Sequence, residues 1–76
     1  MKERIRVVIA DVVGANPEEI PLDAHQEGVS GWNSIRHMNL VIALEKEFQV
    51  RFSDLQIAEM MSIALIEDTL LELGGK

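Results

Sequence analysis

The sequence predicts a small all-α four-helix bundle, with three longer helices, one short third helix and a long first loop. Three observations predict it. Apolar residues recur at three- and four-residue spacings in separate blocks. Glycine and proline, which end helices, collect between those blocks. Nothing in the pattern suggests strands. The 76 residues contain no cysteine, so no disulfide framework can hold the fold. One domain over 1–76 must therefore be built by apolar packing, and hydrophobic residues make up 47% of the chain.

Residues 2–13 form the first predicted helix. Ile5, Val8, Ile9 and Val12 fall on one face, and Gly14 followed by Pro17 stops it. Residues 14–33 read as a loop. Within it, Asn16-Pro17-Glu18-Glu19 has the composition of a single capped turn. Ile20, Leu22, Val29 and Trp32 are its expected anchors into the core. A loop this long in so small a domain tends to be functional or self-packed.

Residues 34–48 give the strongest helix pattern, with Asn33 as N-cap. Leu40, Leu44 and Phe48 form one apolar row, supported by Val41 and Ala43. Ile35, Met38 and Ile42 form a second row on a different face. A helix apolar on two sides is either central in the bundle or partly turned to a partner. Residues 53–60 read as a short helix behind the capping box Ser53-Asp54-Leu55-Gln56. Residues 62–73 form the last helix. Ser62 caps it, Ile63, Ile66, Leu70 and Leu73 point inward, and Gly74 and Gly75 end it.

The net charge is −6 and unevenly spread. Residues 1–32 carry −3 and residues 53–76 carry −4, whereas residues 33–52 carry +1. An acidic chain of this size is repelled by phosphate backbones, which excludes nucleic acid as a partner. No apolar run is long enough for a membrane span, and Met1 to Arg6 lacks the apolar block of a signal peptide. A soluble, cytoplasmic monomer is expected. Two histidines, His25 and His37, are too few for a histidine-based metal cluster.

Catalytic constellations are missing. Ser34 and His37 lie three residues apart, but no acid is placed to orient the histidine, so the pair is not read as a hydrolytic site. The carboxylate pairs Glu18-Glu19 and Glu67-Asp68 are read as solvated charge. Ser34 is better read by its position. It follows the N-cap of the central helix, where unpaired backbone N–H groups and the positive end of the helix dipole favour a phosphate ester. Taken alone, a serine there is ordinary first-turn chemistry.

The neighbouring residues add to this. Gly31-Trp32-Asn33-Ser34-Ile35, followed by Met38-Asn39-Leu40-Val41-Ile42-Ala43-Leu44-Glu45-Lys46-Glu47-Phe48, resembles the acyl carrier protein family. That family has an Asp-Ser-Leu signature at the start of its second helix, then an apolar stretch ending in Ala-Leu-Glu and a phenylalanine. Asn16-Pro17-Glu18-Glu19-Ile20 resembles the start of its loop, and Arg51-Phe52-Ser53-Asp54 the approach to its short third helix. The resemblance covers nearly the whole chain.

It implies a four-helix carrier that catalyses nothing. Ser34 would be esterified by 4′-phosphopantetheine, transferred from coenzyme A by a phosphopantetheinyl transferase. The arm's thiol would hold acyl or aminoacyl groups as thioesters for acyl-loading and acyl-transfer enzymes. A chain without cysteine would have to import that thiol. Asn33, Ile35, Arg36, Met38, Ile42 and Glu45 match the family's partner-facing stretch.

Two departures matter. Asn33 stands in place of the signature aspartate; it caps as well but removes a negative charge beside Ser34. Arg36, His37 and Asn39 occupy a stretch that is usually acidic, which makes this helix a poor match for basic partner surfaces and points to a specialised pathway. The plainer expectation for Arg36 is a pairing with a loop acid. His37 is expected as a solvated helix histidine, Trp32 as a loop anchor more than a lining for the arm, and Met60 and Met61 as ordinary packing. A second functional reading stays open: an unmodified interaction module with the carrier fold, binding a partner through the 34–45 face.

Overall fold

A computed structural model describes residues 1–74. Its elements are α1 (Lys2–Val13), α2 (Ser34–Phe48), α3 (Asp54–Glu59) and α4 (Ile63–Leu73). They form an all-α bundle of 27 × 22 × 19 Å in which α1 packs against both α2 and α4. Gly75, expected to help end the last helix, lies outside the described residues.

The helix ends follow from their caps. Gly14 closes α1 in the left-handed conformation at φ 76°, which costs a residue without Cβ little. The side chains of Asn33, Ser53 and Ser62 accept hydrogen bonds from Arg36 N, Gln56 N and Leu65 N and so start α2, α3 and α4. Ser53 and Gln56 complete a reciprocal capping box. The end of α2 has no glycine. Gln49 takes the left-handed conformation instead, at φ 56°, held by Val50 N–H donating to the Glu45 carbonyl.

The core is continuous. Ile5 and Ile9 from α1, Leu40, Leu44 and Phe48 from α2, and Ile63, Ile66 and Leu70 from α4 are all at most 1% exposed. Met60 joins them, whereas Met61 is turned outward. Arg4 of α1 pairs with Glu47 at 3.0 Å and stacks over the Phe48 ring, tying α1 to the far end of α2.

The segment 14–33 is an organised loop. It contains two 3-10 turns, Pro17–Glu19 and Gln26–Gly28, the first of which is the turn expected behind Asn16. Ile20 and Trp32 are buried as expected and Val29 packs partly against the core. Leu22 is not an anchor; it is 40% exposed. A turn closed by Ala24 N–H on the Pro21 carbonyl puts Leu22 on its outer side, and Ala24 takes the inward place. Beyond it, Gln26 N–H donates to Met61 O at 2.8 Å and Ile63 N–H to Ala24 O at 3.1 Å. This isolated antiparallel bridge between His25 and Ser62 clips the loop to the junction of α3 and α4.

Candidate functional site: the start of α2

Ser34 is the first residue of α2 and is exposed. Asn33 before it is extended, and its side-chain oxygen takes the Arg36 N–H at 2.9 Å. His37 N–H begins the helical ladder on the Asn33 carbonyl. The N–H groups of Ser34 and Ile35 have no partner within the chain among the described residues. Two free donors beside an exposed hydroxyl, at the positive end of a 15-residue helix, suit the oxygens of a phosphate ester.

A cleft of about 270 Å³ opens beside Ser34, lined also by Gln26, His37, Asp54, Ile57, Ala58 and Met61. Loop, α2 and α3 all contribute to it. A larger groove of about 490 Å³ runs between α1 and α2 past Val7, Val12, Ala43 and Glu47. Ala43 is nine residues beyond Ser34, about 14 Å along the helix axis, so the smaller cleft is the one that belongs to the serine.

His37 overturns its expectation. It is buried, at 9% exposure, and both ring nitrogens are engaged. The Trp32 indole N–H donates to His37 Nδ1 at 3.0 Å, and His37 Nε2 lies 2.8 Å from the Ile57 carbonyl. An indole can only donate. Nδ1 therefore accepts, and Nε2 carries the hydrogen and donates to Ile57. The rings stack at 18° with centroids 6.1 Å apart. The ring joins the first loop, α2 and α3, as a second donor to a carbonyl in the last turn of α3 that also takes the Met60 N–H. Burial pays off for a neutral imidazole only because both polar atoms are bonded. Trp32, 4% exposed, is the expected anchor.

For Arg36, the plainer of its two readings fails. Its guanidinium donates to the Val13 carbonyl at 3.2 Å, not to a loop acid. It thus covers an open carbonyl at the negative end of α1. Gly31 makes room for it: at φ 88°, a Cβ there would lie 2.8 Å from Arg36 Nη1. Glu45 is half-buried, and one carboxylate oxygen accepts the Phe52 N–H at 2.9 Å, bracing the turn into α3.

The second apolar row of α2 is in water. Ile35 is 77%, Met38 49% and Ile42 56% exposed. Leu55, the second residue of α3, is also strongly exposed. The structure therefore gathers Ser34, Ile35, Met38 and Ile42 on the outer side of α2, while His37 faces inward. Gln26, Asp54, Ile57 and Ala58 were not singled out as site residues from sequence, and Met61, expected as ordinary packing, is instead 46% exposed on the cleft. Only the approach Ser53-Asp54 carried a signal, because a capping box fixes where α3 begins.

A family profile described as "Phosphopantetheine attachment site" matches residues 3–70. The chain belongs to the acyl carrier family. It is also similar to the acyl carrier protein of Cyanidium caldarium, with 23% identity over 61 residues, covering 80% of this chain and 71% of that protein. Members of the family are carriers and not enzymes, and phosphopantetheine is the group the family holds. His37, which lines the cleft with Ser34, is committed to Trp32 and Ile57.

Proposed function

We propose that this chain carries acyl or aminoacyl groups as thioesters on a 4′-phosphopantetheine arm attached to Ser34, in a specialised pathway, and presents them to loading and transfer enzymes. The observation that carries the reading is the exposed Ser34 hydroxyl at the capped start of α2, beside two unpaired backbone donors and a cleft. When bound, the arm supplies the thiol that a cysteine-free chain lacks. Asn33 fixes the first turn and so the direction of the Ser34 hydroxyl. The N–H groups of Ser34 and Ile35 are available to the phosphate, and Gln26 and Asp54 offer polar atoms to the amides of an arm lying in the cleft.

Ile35, Met38 and Ile42, with Asn33 and Arg36 at one end, form the face a transferase or acyl-transfer enzyme would meet. That face carries no acid over residues 34–44, which favours partners whose docking surface is apolar over strongly basic ones. Glu45 closes the face at its far end.

Incubation with coenzyme A and a broad-specificity phosphopantetheinyl transferase tests the proposal by intact mass. The expected result is a gain of one phosphopantetheine that disappears in Ser34→Ala. No gain with several transferases would favour the unmodified interaction module.

A further inference from the structure

A cargo tethered through Ser34 has two places to hide from water: the cleft beside it or the bundle interior. The cleft is small. Its 270 Å³ equals about nine water-sized volumes, and the arm with its two amides would occupy it. Its lining is also mixed, with Gln26, His37 and Asp54 among the apolar side chains. A long alkyl tail gains little there.

The way inward from the cleft is crossed by a polar bolt. His37 and Ile57 both line the cleft, and they are the two partners of the 2.8 Å bond that joins α2 to α3. The Trp32 indole holds the same ring from the loop side. Admitting a guest here displaces the ring and breaks two hydrogen bonds, the buried one from Trp32 and the part-buried one to Ile57. A purely apolar seam would lose only dispersion contacts and could reclose around a guest. A seam with a buried imidazole loses its pairing as well, and cancels the gain from burying roughly the first three to seven methylenes. The interior behind it is close-packed by Leu40, Leu44, Met60 and Ile63, none more than 1% exposed.

Building on the carrier reading, we infer that the cargo of this protein is a short or polar acyl group that stays outside the bundle, because the Trp32–His37–Ile57 bolt closes the route from Ser34 to the core. His37 acts here as a positioning residue: it touches no cargo and keeps the wall shut.

The absence of cysteine makes a direct test available. Ser34→Cys carries one thiol, which can be converted to mixed disulfides with butyl and octyl methanethiosulfonate. His37 is three residues on, about 4.5 Å along the axis, well within reach of an octyl chain. The two adducts are compared by melting temperature and by the emission of Trp32, the chain's single tryptophan. The expected result is equal melting within about 1 °C and unchanged emission. An octyl adduct melting on the order of 5 °C or more above the butyl adduct, with shifted Trp32 emission, would overturn the inference. The same pair in a His37→Leu background is expected to separate, octyl above butyl; no separation there would overturn the assignment of the barrier to His37. Because no transferase is involved, the disulfide series stands or fails separately from the mass measurement that tests the carrier reading.

Discussion

The two apolar rows of α2 are alike in composition and opposite in surroundings. Leu40, Leu44 and Phe48 are sealed in the core, whereas Ile35, Met38 and Ile42 remain in water around the exposed Ser34. The first row shares one core with Ile5 and Ile9 of α1 and Ile63, Ile66 and Leu70 of α4. The second lies largely in solvent. The comparison shows one helix doing two jobs by angle: its inner stripe builds the bundle, and its outer stripe costs the bundle nothing to change. Burying a large apolar side chain is worth about 1.5–3 kcal/mol, so three such residues kept in solvent represent stabilisation this fold does not use. That leaves them free for a partner.

Mutations at matched positions can break or sharpen this contrast. Leu44→Ala should have the largest effect. It empties a fully buried site and should cost about 3–4 kcal/mol, read as a fall in the urea midpoint; a loss under about 1 kcal/mol would mean that the inner row is not the support it looks like. His37→Leu should come next. It keeps an apolar body on the inner stripe but leaves the Trp32 N–H without an acceptor and removes a donor from Ile57. A cost of about 2 kcal/mol is expected, and a neutral outcome would show that water replaces both bonds. Ile42→Ser should have the smallest effect. On the outer row it should shift stability by no more than about 0.5 kcal/mol, while the rate of Ser34 modification by transferase falls. If Ile42→Ser unfolds the chain, the outer row is structural and the contrast is lost.

Most of the fold is legible in the sequence because it is written in local chemistry. The caps Asn33, Ser53 and Ser62 and the stop at Gly14 set the helix bounds through hydrogen bonds within three or four residues. Ser34 is legible for the same reason: its place depends on the cap before it. His37 was misread although a signal existed. It lies three, four, seven and eleven residues before Leu40, Val41, Leu44 and Phe48, squarely on the inner stripe. Polarity argued for solvent, and periodicity argued for burial. Periodicity won because Trp32 and the Ile57 carbonyl supply both partners that a buried imidazole needs, and neither is visible as a partner from spacing alone. Leu22 failed in the opposite sense. Its hydropathy suggested an anchor, but the turn from Pro21 to Ala24 decides which side chain faces inward. The cleft beside Ser34 was least legible, since it depends on how close loop and α3 come to α2.

The bridge between His25 and Ser62 makes the cleft depend on a distant stretch of the chain. It joins positions 37 residues apart, and such non-local closure is entropically slow to reach. The first loop also pairs locally, through the Asn16–Glu19 turn and the Trp32–His37 bond, but its tie to the bundle at residues 24–26 needs Met61 and Ile63 in place. Gln26, which lines the cleft and donates to Met61 through its backbone, therefore owes its position to a residue far along the chain. Loosening the start of α4 would therefore release Gln26 and disturb the cleft beside Ser34 from a distant stretch of the sequence.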